Sequence, residues 1–268
     1  MIFRGFRSIG IRDFLMKELL WPSVLYWVIA VLGLLLITLL VRRVNRKGKP
    51  GVPFLRQESR RFLIVRLVCL LVLSWLAFSG VRDGSSPEML KYYTYLSNIL
   101  VCVTLTVQAA LCVLRLLGAQ AILPAAVRGW VTLSIFFTFL TVFLVLSPFS
   151  APSDWLDARI HYLVPLLTVA DWVIFEPHGA LRWYHPLYWL FTPILYFAYV
   201  LALVQLGIRF NSNRFPYFFM NVRTLGWGGV LSILLMLAAV FLAVGYAMVA
   251  FDRRRDIARY FKKRKHRD

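Results

Sequence analysis

The sequence has few charged residues, and few of those are acidic. Only 16% of its 268 residues are Asp, Glu, Lys or Arg, whereas 60% are hydrophobic. A soluble globular domain is typically about 45–50% apolar. This chain therefore has too little polar surface to coat a globule in water, which excludes an ordinary soluble enzyme or binding domain.

Cysteine and histidine are also scarce. The three cysteines, Cys69, Cys102 and Cys112, are odd in number and all fall inside hydrophobic runs. A disulfide framework is thus excluded, and we interpret these residues as small hydrophobic side chains. On no predicted span does a histidine pair with a carboxylate at a spacing that suits a metal ion. We predict no metal and no cofactor.

Long hydrophobic runs, in contrast, are abundant. A helix that spans a bilayer needs about 20 mainly apolar residues, and only helices or closed barrels satisfy the backbone in lipid. The runs here are continuous rather than alternating, which indicates helices. We predict an all-α, polytopic transmembrane helical bundle with a six-span core and one N-terminal span. The predicted spans are residues 24–41, 62–79, 94–117, 130–149, 160–175, 187–206 and 225–251.

The chain divides into three segments. Residues 1–59 contain a short interfacial helix at 6–20, the leading span and a basic linker that is rich in Gly and Pro. Such a linker is typically flexible, and it separates the leading span from the rest. Residues 60–252 form the six-span core, which we expect to be the functional unit. Residues 253–268 form a basic tail.

The excess of positive charge is concentrated beside the predicted spans. Lys and Arg total 31 against 12 Asp and Glu, and they cluster in the linker and the tail. Because such clusters collect on the cytoplasmic side, seven spans put the C-terminus in the cytoplasm and the N-terminus outside. We expect the linker and the tail to contact anionic lipids, and we expect no nucleic-acid partner. The sequence does not indicate a protein partner.

Polar side chains within the runs are candidates for chemistry, because they are costly in a membrane. In KYYTYLSNIL, Thr94 lies about one turn inside the predicted outer face, and Asn98 follows on the same side of the helix. His161 is the one histidine that enters a hydrophobic run, and it lies at a similar depth. Imidazole can activate a hydroxyl nucleophile. We therefore consider Thr94 and His161 a candidate catalytic pair, with Ser97, Asn98 or backbone N–H groups holding an oxyanion.

Structural roles are open for the same residues. An interfacial threonine often bonds the backbone one turn back, and an interfacial histidine often satisfies a loop. Asp171 is predicted about 15 Å deeper than His161. It either organises the inner end of a cavity that binds substrate or pairs structurally with Trp172 or a neighbouring hydroxyl.

Three stretches in order, YYTYLSN, IHYLVPLLTVADWVIF and FPYFFMNV, resemble the androgen-induced-gene family of integral-membrane threonine hydrolases. The resemblance covers about residues 60–254 and is greatest to bacterial relatives described as predicted six-span proteins, which implies a bacterial plasma membrane. Known members cleave fatty acid esters of hydroxy fatty acids with a threonine and a histidine on separate spans. The resemblance places these roles on Thr94 and His161. Asn221 is a departure, because relatives often carry an acidic residue there.

The resulting hypothesis is a membrane-embedded hydrolase of a lipid-like, fatty-acyl ester, with Thr94 as the nucleophile and His161 as the base. Two other classes are open. A non-enzymatic scaffold or sensor would use the basic linker and tail to meet its partner. A small-molecule transporter would need ionisable groups near the midplane, where the sequence offers only Asp171.

Overall fold

The computed structural model describes residues 59–83, 89–119, 122–146, 152–210 and 214–254. The predicted interfacial helix at 6–20, the leading span at 24–41 and the basic linker up to residue 58 lie outside the described residues. So does the basic tail from residue 255 onward. The six-span core is described apart from four short connections.

Six helices in this core are long and apolar enough to cross a membrane, and no β-strand occurs among the described residues. The all-α, polytopic fold predicted for the core is therefore confirmed, and the chain has the helices of a multi-pass integral membrane protein. We number them in chain order: α1 Arg60–Asp83, α2 Tyr93–Leu116, α3 Ala125–Leu146, α4 Trp155–Phe175, α5 His185–Gln205 and α6 Val222–Asp252.

Consecutive helices run in opposite directions, so the bundle has two distinct ends. At one end, which we call the Thr94 end, α2, α4 and α6 begin. At the other, which we call the Glu176 end, they finish. Contacts between helices fix this arrangement: Arg159 at the start of α4 bonds Ser79 and Asp83 at the end of α1, with distances of 2.8 and 2.7 Å.

All six helices begin earlier than the predicted hydrophobic runs, and two of them begin five residues earlier. Helix α3 begins at Ala125 rather than at residue 130, because Arg128 is buried in an ion pair with Glu176. Helix α4 begins at Trp155 rather than at residue 160, because the Asp154 side chain accepts a hydrogen bond of 2.7 Å from the Asp157 N–H and caps the helix. Hydropathy alone does not register either polar contact.

Helix α1 lies at the edge of the bundle and exposes one apolar face. Seven large hydrophobic side chains on it are about half exposed or more: Ile64, Val65, Val68, Leu71, Val72, Trp75 and Phe78. A continuous apolar face of this kind is rare on a soluble monomer. It is what a helix presents to the hydrocarbon of a bilayer.

Helices α3 and α5 approach closely at Gly129. A Cβ atom added there would lie 2.7 Å from the Trp189 ring. We expect Gly129→Val to lower the free energy of unfolding by about 1–3 kcal/mol, because a packed interface cannot admit the extra volume. Thermal unfolding in detergent would measure the change. Gly228→Val is the matched control, since an added Cβ there meets nothing within 4 Å; equal losses in both variants would contradict the close approach.

Residues 214–221, which we call the capping segment, close the Thr94 end of the bundle between α5 and α6. Phe215, Phe219 and Met220 in this segment are buried, and they join the largest hydrophobic cluster among the described residues. The backbone just before the segment is tied to the entry of α2, since Lys91 Nζ donates to the Arg209 carbonyl at 3.0 Å. The connection thus packs into the bundle and forms part of the wall around the interior.

Candidate functional site

An apolar cavity of about 150 Å³ lies between α2, α3, α5, α6 and the capping segment. Apolar side chains form most of its wall. Ile194, which is 57% exposed, lies at its edge, so the cavity reaches the lipid-facing surface of α5. The apolar part of the lining includes Phe137, Val142, Leu146, Leu190, Pro193, Ile194, Phe197, Leu234, Leu237, Ala238 and Phe241.

Thr94 lies at the polar end of this cavity. Its side chain is only 6% exposed, and it lines the cavity together with Thr138, Tyr196 and Tyr217. Thr94 belongs to the first turn of α2, where helical N–H groups have no partner within the helix. The sequence-predicted nucleophile is thus buried in the bundle, beside a space that a ligand can enter.

Tyr217 of the capping segment lies against the start of α2. The N-cap residue, Tyr92, makes no capping bond with its side chain. Instead, the Tyr217 phenol oxygen lies beside the backbone N–H groups of Tyr93 and Thr94 and beside the Thr94 and Tyr196 hydroxyls. Burial raises the pKa of the Tyr217 phenol, so it keeps its proton at neutral pH. This tyrosine lies within the FPYFFMNV stretch, and the sequence alone did not predict a role for it.

Ser97 and Asn98 lie one turn below Thr94 and face neighbouring helices. Ser97 Oγ is 2.9 Å from the Thr94 carbonyl and 2.8 Å from Thr138 Oγ1 on α3. Asn98 is fully buried, and its amide nitrogen donates to the carbonyls of Thr94 and Ile160 at 2.8 and 3.0 Å. Neither residue lines the cavity. Both therefore join helices, and the two N–H bonds of Asn98 are already used.

His161 lies on a π-helical turn of α4 and pairs with Asp157 one turn earlier. The contact joins His161 Nδ1 to Asp157 Oδ1. A carboxylate in this position fixes the tautomer of the imidazole and leaves Nε2 to accept a proton. This role of Asp157 was not predicted, although its i, i+4 spacing from His161 is visible in the sequence.

Thr94 and His161 lie on adjoining parts of the bundle, because Asn98 on α2 bonds the carbonyl of Ile160, the residue before His161. Within the described residues, however, no hydrogen bond joins Thr94 to His161, and His161 does not line the cavity. The structure thus brings the two helices together near both residues, while the two functional groups themselves share no hydrogen bond.

Asp171 lies in a different region, at the Glu176 end. It borders a space of about 10 Å³ with Thr104, Thr132, Thr168 and Arg128, and one of its oxygens has no hydrogen-bond partner. That volume is near the minimum for one water molecule. Asp171 does not line the Thr94 cavity, so the structure does not bring this sequence-predicted residue together with Thr94.

A buried charged cluster at the Glu176 end was missed by the sequence analysis. Glu176 pairs with both Arg66 of α1 and Arg128 of α3, and all three side chains are at most 7% exposed. Arg66 also donates to the Phe175 carbonyl at 2.7 Å and to Gln108 at 3.3 Å. The signal available in the sequence was Arg66 itself, an arginine inside a hydrophobic run. This cluster ties four helices together.

The candidate site is therefore an apolar cavity with one polar end, where a threonine, two tyrosines and the first N–H groups of a helix converge. No group of three or more His, Cys, Asp or Glu in the described part of the chain is arranged to hold a metal ion. The chemistry available here comes from hydroxyls, backbone N–H groups and the nearby Asp157–His161 pair.

Comparison with protein-family models, with curated proteins and with solved structures finds no match to this chain.

Proposed function

We propose that this protein is a membrane-embedded hydrolase of fatty-acyl esters that uses Thr94 as its nucleophile. The observation that carries the proposal is the position of the Thr94 hydroxyl, at the polar end of an otherwise apolar cavity inside the bundle. An acyl chain in the apolar part would present its carbonyl group to this hydroxyl. The apolar side chains that line the cavity would not stabilise the binding of a soluble, polar substrate.

His161 serves as the base, and Asp157 orients it. The Asp157–His161 contact at Nδ1 leaves Nε2 as the nitrogen that takes the Thr94 proton. The reaction requires these two groups to approach when the ester binds. Catalytic hydrogen bonds are often long in ligand-free enzymes and tighten only in the complex.

The reaction proceeds in two balanced steps. Thr94 Oγ1 loses its proton to His161 and attacks the ester carbonyl carbon; the bond to the alkoxy oxygen breaks, and the alcohol leaves with that proton. Water then gives a proton to His161 and adds its hydroxyl to the acyl-threonine. The bond to Thr94 breaks, the fatty acid leaves, and Thr94 recovers its proton.

The size and the edge of the cavity support a membrane lipid as the substrate. An apolar cavity of about 150 Å³ holds a molecule the size of benzene, so the cavity accommodates only the first part of a long chain. Ile194 at the edge gives the remainder a route into the bilayer. We propose that the ester enters sideways from the membrane.

The wider cellular setting is part of the same proposal. The resemblance of the three quoted motifs to integral-membrane threonine hydrolases agrees with it, and so does the density of positive charge in the linker and tail. We propose a bacterial plasma membrane, a cytoplasmic C-terminus, an outer N-terminus and anionic lipids bound at the basic segments. The Thr94 end then faces outward.

Covalent labelling tests the proposal directly. The purified chain in lipid nanodiscs is treated with a lipophilic fluorophosphonate, and mass spectrometry identifies the modified residue. We expect the adduct on Thr94, together with release of fatty acid from a panel of fatty-acyl esters. An adduct confined to other residues, with no ester cleaved, would overturn the proposal.

A larger side chain in the cavity should slow the cleavage of long-chain esters more than the cleavage of short-chain esters. Ala238 on α6 lines the cavity, so we expect Ala238→Trp to lower kcat/KM for a long-chain ester by about tenfold or more, a loss of about 1.4 kcal/mol. Cleavage of an acetyl ester should change little. Leu235→Trp is the matched control, because Leu235 is 71% exposed on the same helix. An equal effect of both substitutions would argue against the cavity as the acyl site.

A further inference from the structure

The proposed reaction places negative charge on the carbonyl oxygen of the ester, and this charge needs a hydrogen-bond donor. The two polar side chains nearest Thr94 in sequence do not provide one. Both Asn98 N–H bonds go to backbone carbonyls, and Ser97 bonds the Thr94 carbonyl and Thr138. Neither residue lines the cavity. The donor must come from another element.

The capping segment places one donor at the required position. Tyr217 lines the cavity beside Thr94, and its ring packs between Tyr92 and Tyr196, with centroids 6.1 and 6.4 Å away. It also stacks on Phe219 at 5.2 Å, and Phe219 is buried. Three aromatic neighbours thus hold the ring, so the phenol has little freedom to leave the Thr94 hydroxyl.

We propose that Tyr217 is a catalytic residue whose phenol O–H donates to the carbonyl oxygen of the bound ester as Thr94 attacks. This role rests on the proposed function of Thr94. In the structure the Tyr217 phenol lies beside Thr94, and both residues line the cavity. After the attack, Thr94 Oγ1 and the oxyanion are bonded to the same carbon atom. The Tyr217 O–H therefore needs to turn only slightly to reach the negatively charged oxygen.

The start of α2 strengthens this donor. The Tyr217 phenol oxygen lies beside the backbone N–H groups of Tyr93 and Thr94, and the N-terminus of a helix carries partial positive charge. A hydroxyl that accepts hydrogen bonds becomes a better donor, since chains of hydrogen bonds polarise one another. The oxyanion is thus stabilised by Tyr217 directly and by the helix start through Tyr217.

Tyr217→Phe removes the donor and keeps the ring. We expect kcat for a fatty-acyl ester to fall by about 10²–10³-fold, the loss typical of removing one oxyanion donor, with KM nearly unchanged. Tyr199→Phe is the matched control: it lies on α5, its ring is 6.3 Å from Tyr196, and it does not line the cavity. Equal rates in the two variants, with wild-type turnover intact, would overturn the role of Tyr217 and leave Thr94 as the nucleophile.

A second substitution covers the case in which Tyr217→Phe unfolds. Replacing Tyr217 with 3,5-difluorotyrosine preserves the packing and lowers the pKa of the phenol. Turnover should persist below that pKa and fall above it, because a phenolate has no proton to donate. An unchanged pH profile would overturn the proposal. Absence of any turnover in the wild-type chain would overturn the proposed function itself, and the role of Tyr217 with it.

Discussion

Thr94→Ala is expected to reduce the hydrolysis of fatty-acyl esters by on the order of 10⁴-fold or more, because removal of a nucleophile eliminates the covalent route. Labelling by the fluorophosphonate should disappear in the same variant. His161→Ala should lose labelling as well, since the hydroxyl then has no base. Mass spectrometry of the released fatty acid gives the ratio of the hydrolysis rates of the wild-type chain and each variant.

Two further variants make this expectation specific. Thr106→Ala on the exposed side of α2 should leave turnover unchanged, since that hydroxyl only bonds the Cys102 carbonyl. The double variant Thr94→Ala, His161→Ala should be no slower than either single variant, because residues that act as a unit are not additive. A double variant slowed by the product of the two single effects would show that the residues act independently.

Glu176→Ala is expected to destabilise the bundle by about 3–5 kcal/mol, the cost of leaving buried charges without their partner. Arg66 and Arg128 both pair with this carboxylate, and both are nearly inaccessible. Without it, two positive charges face each other in the interior of the bundle. The midpoint of thermal unfolding in detergent and the midpoint in a denaturant series would both report the loss.

Removing the whole cluster should have the opposite outcome. The triple variant Arg66→Met, Arg128→Met, Glu176→Leu eliminates the charges together, and replacing a buried ion cluster with apolar residues of similar volume is often neutral or stabilising. We expect it to recover most of the stability lost in Glu176→Ala. If the triple variant is as unstable as the single one, the charges are not compensating each other, and the cost has another source.

The helical bundle itself was predictable from the residues, because burial of backbone polar groups in lipid leaves few alternatives to a helix. Six runs of the core became six helices, with α4 and α3 extended at their first turns by polar contacts that hydropathy does not measure. The free-energy cost of placing polar side chains in a membrane also identified Thr94 and His161 as candidate catalytic residues. Helical rise predicted each about one turn inside the outer face; in the structure Thr94 is the second residue of α2 and His161 the seventh of α4.

Which polar groups share a space depended on how the helices pack. Tyr217 is far from Thr94 along the chain, and only the return of the capping segment into the bundle brings the phenol beside the hydroxyl. Asn98 and Thr94 lie on one side of α2, yet Asn98 is used to hold α4 while Thr94 faces the cavity. Helical spacing determines the side of a helix on which a residue lies, but the neighbouring helix determines whether that side meets carbonyl oxygens or an open cavity.

The helical bundle and its six core spans follow from the residues alone, since both reflect the cost of polar groups in hydrocarbon. Packing between helices brings Arg66 of α1, Arg128 of α3 and Glu176 at the end of α4 into one buried cluster. It also decided that the cavity ends at Thr94 and Tyr217 rather than at Asp171. These outcomes depend on the rotation of each helix and on a folded connection, which arise from contacts between residues far apart in the chain.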